Sequence, residues 1–296
     1  MQALAPKASG IYLDGTFGRG GHARALLERL GPNGRVLAVD RDPDAVAAGR
    51  ALAAADSRFA LEQARYSELP ALAAARGWTG RIDGILLDLG VSSPQLDEPG
   101  RGFSFNADAP LDMRMDPGSQ PSAAEWLANA TEQDIARVLW ELGEERFARR
   151  IARAITRARQ AKPIRTTREL AMLIEQAVPT REPGKHPATR SFQAIRIEIN
   201  DELDELRNVL AAVCELLAAG GRLAVISFHS LEDRIVKRFI RDESQGGSIP
   251  KGVPLRDAEL QRRLRPIGRA LRPSEAEVTH NPRARSAVLR TAERLT

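Results

Sequence analysis

Between an apolar start and a helical run lies "YLDGTFGRGGHA", residues Tyr12 to Ala23, with an acid and four glycines in twelve positions. A turn that rich in glycine lets the backbone pass close to a bound phosphate, dinucleotide or adenosine cofactor. The surrounding segments set the fold. "GIYLDGT" reads as a strand and "GHARALLERL" as a helix closed by Gly31-Pro32. "RVLAVD", "RFALEQA" and "DGILLDLGV" read as three more strands, separated by helices opening at "DPDAVAAGRALAAA" and "SELPALAAARG". Strands that are nearly continuous in apolar residues and alternate with helices predict a parallel, doubly wound α/β sheet.

The rhythm stops after Val91. "SSPQLDEPGRGFSFNADAPLDMRMDPGSQP" has no period and is dense in Pro, Gly, Asp and Ser, so it predicts a long ordered loop of functional type. A helical block follows: "SAAEWLANA", the single long helix "TEQDIARVLWELGEERFARRIARAITRARQ", and "TTRELAMLIEQAV", capped by Thr166 or Thr167. The α/β pattern then resumes with the helix "NDELDELRNVLAAVCELLAAGG", ended by Gly-Gly, the strand "RLAVISFHS" and the helix "LEDRIVKRFIRDE". The tail ending "NPRARSAVLRTAERL" supplies edge strands. The domain expectation is therefore residues 1–106 with 200–296 as the α/β domain, and 107–199 as an inserted helical domain.

Bulk properties narrow the classes. The 296 residues suffice for a core without staples, and 43% hydrophobic with 28% charged residues describes a soluble globular chain. A single cysteine, Cys214, excludes an intramolecular disulfide and fits a cytoplasmic location. No pair of the four histidines has metal-ligand spacing, so no metal is expected, and no run is long and apolar enough for a membrane span or leader. From Arg222 to Thr296 there are sixteen Lys and Arg against nine Asp and Glu. That surplus is either a solvated basic face or a surface for a polyanion such as RNA.

"GRGGHA" fits the dinucleotide pattern, with Asp40 placed about 20 residues on as a ribose-binding acid. NAD is thus one reading, and S-adenosylmethionine is the other. Asp14 favours the second, because a strand-tip carboxylate repels a pyrophosphate and attracts a cationic sulfonium and amino group. Asp14 to Gly20 also matches the methyltransferase pattern D-x-G-x-G-x-G, except that Thr16 replaces its first glycine.

Ligands in open α/β sheets lie beyond the carboxyl ends of the strands, which gathers Asp88, Ser92, Ser93 and Gln95 of "DLGVSSPQLD" near the glycine turn. Acceptors on a tight loop suit an exocyclic amine, whose lone pair they can turn toward a methyl group; ordinary turn chemistry is the alternative for both serines. Cys214, mid-helix among "LAAVCELLAA", reads as buried and inert, which disfavours carbon methylation through a thiolate. At a further strand tip, "ISFHSLEDRIVKRF" offers His229 as a substrate contact or as a satisfied strand-end histidine. Arg234, Lys237 and Arg238 follow it, and Arg283 and Arg285 stand in "NPRARS"; together they can grip phosphates. Arg149, Arg150 and Arg153 of the inserted helices are expected to form an opposite wall for RNA.

These strings, with "AVDRDP", "RGFSF", "PLDMRMD", "GEERFARRIARAI", "HPATRSFQAIRIEIN" and "NPRARSAVLR", closely resemble the bacterial small-subunit ribosomal RNA N4-cytosine methyltransferases, from about Gly10 to the C-terminus. The resemblance implies a class I S-adenosylmethionine-dependent methyltransferase fold, Rossmann-like, with an inserted all-α domain for recognising RNA. It implies methyl transfer from S-adenosylmethionine to N4 of a decoding-centre cytidine in 16S rRNA of the small subunit. It implies cofactor contacts at Gly20, Gly21, His22, Asp40, Tyr66, Asp88 and Gln95, with Tyr66 where the family more often has Phe. The resemblance departs at the start, where the family carries an "HxPVL" segment and this chain reads "MQALAPKAS". A truncated or divergent segment there is expected to weaken cofactor or RNA binding. Oligomeric state is left open, a homodimer included. Two other classes are weighed beside this one. A nicotinamide oxidoreductase finds no general acid besides His229, and a non-catalytic RNA-binding module leaves Asp14, Asp40 and Asp88 unexplained.

Overall fold

Val36, Leu37, Ala38 and Val39 are all buried although they alternate in direction, so both faces of the strand they form are covered. The computed structural model describes residues 1–118, 121–180, 184, 186–246 and 261–296. Ser119 and Gln120 of the expected long loop, and residues 247–260 of the basic C-terminal quarter, lie outside the described residues. Two units fold within the chain: Met1–Gly90 with Leu203–Thr296, and Val91–Glu202.

The first unit opens with β1 (Ile11–Asp14), α1 (Gly21–Leu27), β2 (Arg35–Asp40), α2 (Pro43–Ala55), β3 (Phe59–Gln63), α3 (Leu69–Ala75) and β4 (Ile82–Asp88). After the second unit come α10 (Glu202–Leu216), β5 (Leu217–Ser227), α11 (Ser230–Gln245), β6 (Leu264–Pro266), α12 (Glu275–His280) and β7 (Val288–Arg294). One seven-stranded sheet has the order β3-β2-β1-β4-β5-β7-β6. The first five strands are parallel, and β7 runs antiparallel to both of its neighbours. The tail thus supplies β6 as the edge strand, while β7 is internal. Leu13, Leu37 and Val39 pack with Leu69, Val209, Val213 and Val236 on one face of the sheet. Tyr12, Val36 and Ala38 pack with Ala23, Leu26 and Leu27 on the other. Alternate residues of each strand therefore serve opposite cores. Among the described residues no helix is long and apolar enough to cross a membrane.

The expected helix through the Gly-Gly pair stops earlier, at Leu216. Leu217 already pairs with Ile82, and an irregular stretch follows before Arg222 pairs with Gly84. Ladder hydrogen bonds to β4 thus take the segment that helical periodicity alone assigns to α10.

The second unit contains α4 (Ser93–Asp97), α5 (Ala123–Asn129), α6 (Glu132–Glu141), α7 (Ala148–Ala161), α8 (Thr167–Ala177) and α9 (Thr189–Ile199). Its core joins Leu127, Ile135, Ile151, Ile155, Leu170, Ile174 and Phe192. Phe103 belongs to the same core, with Val91, Leu96 and Phe105 packed against it, so the boundary expected at residue 106 lies instead after Gly90. The second boundary shifts from 199 to Glu202. Polarity of the loop concealed these four anchors. The single long helix expected from Thr131 onward is two, because Gly143 and Glu144 (φ 49°) turn the chain between α6 and α7.

Candidate cofactor and active site

The first turn is held from beneath by Phe17, which sits so close to Gly20 that a Cβ there would lie 2.7 Å from its ring. Gly20 caps α1 with φ 76°, a conformation that favours glycine, and Gly21 is the first helical residue. Gly18, with φ 55°, donates its backbone N–H to Asp40 Oδ2 at 2.8 Å, while Asp40 Oδ1 accepts from the Asp42 N–H at 2.9 Å. Two backbone donors therefore orient the Asp40 carboxylate at the tip of β2 and leave further lone pairs for a diol. Burial pushes its pKa above the ordinary value.

Asp14 ends β1 and is fully buried. Its Oδ1 accepts the Thr16 N–H at 3.1 Å, while its Oδ2 has no partner. Burial raises the Asp14 carboxyl to about 6. Thr16, the departure from the glycine pattern, accepts the Asp88 N–H on its hydroxyl at 2.7 Å and ties the first turn to the end of β4. No sequence pattern flagged Thr16 as a structural link; its position opposite β4 comes from the parallel pairing of β1 and β4.

Asp88 closes this cluster. Its Oδ2 lies 3.3 Å from His22 Nε2, and its Oδ1 is buried without a partner. The Asp88 hydrogen bond is the main cause that raises the His22 pKa, against burial, with the charges of Asp88 and Asp14 adding to it. Tyr66 begins a short turn after β3, and a Cβ at Gly15 would come within 3.0 Å of its Cβ. Arg65, just before it, pairs with buried Glu205 at 3.0 Å, which anchors that turn. Asp14, Gly18, Gly20, His22, Asp40, Tyr66 and Asp88 thus line one edge of the sheet.

Ser92, Ser93 and Gln95 belong to the second unit. Ser92 is the N-cap of α4 and donates its backbone N–H to Gln95 Oε1 at 2.9 Å; Gln95 is buried and Ser93 exposed. Turn chemistry therefore occupies Ser92 and Gln95 at least in part.

Asp88 pairs in register with Ile226, so His229 lies three residues past the same edge. His229 caps α11, with Nδ1 3.5 Å from the Glu232 N–H and Nε2 3.2 Å from Glu232 Oε1. The cap uses Nδ1 alone: Nε2 is buried without a hydrogen-bond partner despite its nearness to Glu232, so His229 is only half satisfied. Arg234, Lys237 and Arg238 are exposed on α11, which Asp233 joins to β7 through a two-point pair with Arg290 at 2.6 and 2.9 Å. Val288 pairs with Ser227, so the exposed turn Pro282–Ser286 with Arg283 and Arg285 precedes β7 at the site's edge of the sheet. Cys214 is buried, its thiol pushed up to about 11 by burial and by Glu243.

A sheet of this order with β7 reversed, a glycine turn after β1 and acids at the tips of β1, β2 and β4 define a class I S-adenosylmethionine-dependent methyltransferase. The chain belongs to the MraW methylase family, whose profile matches residues 1–295. It is 60% identical over 296 residues to the "Ribosomal RNA small subunit methyltransferase H" of Thioalkalivibrio sulfidiphilus (strain HL-EbGR7), covering 100% of this chain and 94% of that protein. Proteins of the same name from Methylococcus capsulatus (strain ATCC 33009 / NCIMB 11132 / Bath) and Coxiella burnetii (strain RSA 331 / Henzerling II) are 57% and 56% identical. The alignments cover 99% and 100% of this chain and 97% and 96% of those proteins. Its cofactor is S-adenosylmethionine, and the nicotinamide alternative falls. The unpartnered Asp14 Oδ2 and the pre-oriented Asp40 fit that cationic, diol-bearing molecule.

Proposed function

We propose that the protein methylates the exocyclic N4 of a decoding-centre cytidine in 16S rRNA, with the inserted helical unit recognising the RNA. The names of the relatives support small-subunit rRNA as the substrate class. The observation that carries the choice of atom is the half-used carboxylate of Asp88, with Oδ2 near His22 and Oδ1 buried and unpartnered. An exocyclic amine has two N–H donors and a lone pair delocalised into its ring. An acceptor that takes one N–H bond turns the lone pair out of the ring plane and holds the nitrogen in line for transfer. Bound S-adenosylmethionine supplies an electrophilic methyl group on a cationic sulfur.

In this reading Gly20, Gly21, His22, Asp40, Tyr66, Asp88 and Gln95 hold the cofactor, and Asp88, Ser92 and Ser93 orient the amine. His229, Arg234, Lys237, Arg283 and Arg285 contact RNA, and the reaction belongs in the cytoplasm. Carbon methylation of a pyrimidine needs a thiolate, and a buried thiol raised to about 11 does not provide one at neutral pH. Nucleoside mass spectrometry of small-subunit rRNA incubated with enzyme and S-adenosylmethionine tests the reading. N4-methylcytidine is the expected product. A carbon-methylated base, or an RNA adduct on Cys214, would falsify it. Ser92→Ala and Ser93→Ala are expected to lower kcat more than cofactor affinity.

A further inference from the structure

We infer that the arginine face of α7 binds the phosphate line of one strand in a helical RNA segment, apart from the nucleotide that is methylated. The inference rests on the rRNA-substrate reading above. In its fourteen residues α7 carries five arginines and no acid. Arg149, Arg150, Arg153 and Arg157 are exposed. At 3.6 residues per turn they fall within an arc of about 100°. Ala148, Ile151, Ala152 and Ile155 occupy the opposite arc and are buried. Arg159 is different, since its guanidinium donates to the carbonyls of Leu127 and Ala130 and so ties α7 to the end of α5.

The four outward arginines work against their own helix. No acid stands in the first turn, where Arg149 and Arg150 face the positive end of the helix dipole. Arg149 and Arg153, then Arg153 and Arg157, repeat a like charge four residues apart. Among the described residues the acid near this stripe is Glu132, 3.7 Å from Arg153, with both side chains largely in water. A helix selected for packing alone has no reason to keep that arrangement, and such local conflict marks a functional surface.

The spacing selects the anion. Arg149, Arg153 and Arg157 advance about 6 Å per step along the helix, close to the phosphate step along one strand of an A-form duplex. Guanidinium forks bind phosphate oxygens two at a time, and duplex RNA is read mainly through its backbone and shape. A flexible single strand has no fixed step to match.

The test is the full-length triple variant Arg149→Gln, Arg153→Gln, Arg157→Gln, titrated over a range of salt against a mixed-sequence RNA duplex and an oligouridine strand of equal length. Duplex affinity should fall at least about tenfold, and its salt slope should drop by about one unit per lost contact. Oligouridine binding should change less. The thermal midpoint should stay level or rise, because repulsion has been relieved, and S-adenosylmethionine affinity should not move. An unchanged duplex slope overturns the inference, as does an equal loss on oligouridine. Retention of an acidic protein by this face with RNA binding unchanged overturns it as well. Wild-type rRNA methylation, measured in parallel, separates the two readings. No methylated product removes the substrate reading, whereas normal methylation with an unchanged slope removes only the α7 surface.

Discussion

Asp14 has a charge whose cost depends on pH. Its carboxyl titrates at about 6 in the folded chain against an ordinary 3.8, because it is fully buried. Below both values the folded and unfolded states each hold the proton, so Asp14 adds no difference. As pH rises from 3.8 to 6 the unfolded state loses its proton first, and stability falls by about 3 kcal/mol in all. Asp14→Asn should therefore raise the thermal midpoint of the cofactor-free protein at pH 7.5 and leave it nearly level at pH 4. A lower midpoint at pH 7.5 would mean that the charge is already compensated. The same charge attracts a cationic ligand, so S-adenosylmethionine affinity should strengthen from pH 5 to 7 in the wild type and lose that trend in Asp14→Asn. At Asp40 the expectation is of another kind. Charge-assisted hydrogen bonds to the ribose are worth about 1.5–3 kcal/mol each, so Asp40→Ala should weaken cofactor binding by one to two orders of magnitude. Calorimetry showing unchanged affinity would remove Asp40 from the site.

Short elements decide where the chain turns, and Gly143 is the sharpest case. A Cβ there would come within 2.7 Å of the Leu139 carbonyl oxygen and 2.9 Å of the Arg190 carbonyl oxygen, both backbone atoms that cannot swing aside. Gly143→Ala should destabilise the helical unit by about 1–3 kcal/mol, read in denaturant melts, with cofactor affinity held. An unchanged midpoint would show that the α6–α7 turn relaxes freely. Periodicity could not place this break, because "ELGEER" lies inside an unbroken amphipathic pattern and one glycine is tolerated in many helices. Capping was easier to read. Thr166 accepts the Glu169 N–H, as the "TTRE" string predicts. The turn after β1 was also legible, since Gly18 and Gly20 take the positive φ values that a glycine-rich string announces.

Across the molecule the basic excess belongs to the first unit, since residues 91–202 carry sixteen Lys and Arg against seventeen Asp and Glu, and its uses differ. Arg263 pairs with Glu243, Arg290 with Asp233 and Arg222 with Glu293, so these cations hold the first unit together. Arg283 and Arg285 are exposed on the turn before β7. Arg283→Gln with Arg285→Gln should weaken RNA binding, reduce the salt slope by about one unit per lost contact, and spare both thermal stability and S-adenosylmethionine affinity. A large fall in the melting midpoint with an unchanged slope would place these arginines among the structural pairs instead.

The local alphabet of this protein was determined by sequence alone. Apolar runs bounded by turn residues specified strands, amphipathic periods specified helices, and the glycine-rich string specified the turn after β1, with Asp14 and Asp40 at strand tips. All of these depend on interactions within a few residues or on burial averaged over a segment. Contacts between distant segments were decided only in the tertiary structure. Phe103 and Met113 joined the helical core through packing that their polar neighbours hid. Leu217 left its helix for a ladder with Ile82. Thr16 became the tie to Asp88, and Asp88 the partner of His22, because β1 and β4 lie side by side. Each of these choices is made by a partner about sixty or more residues away, or by a core that exists only once the chain has closed around it.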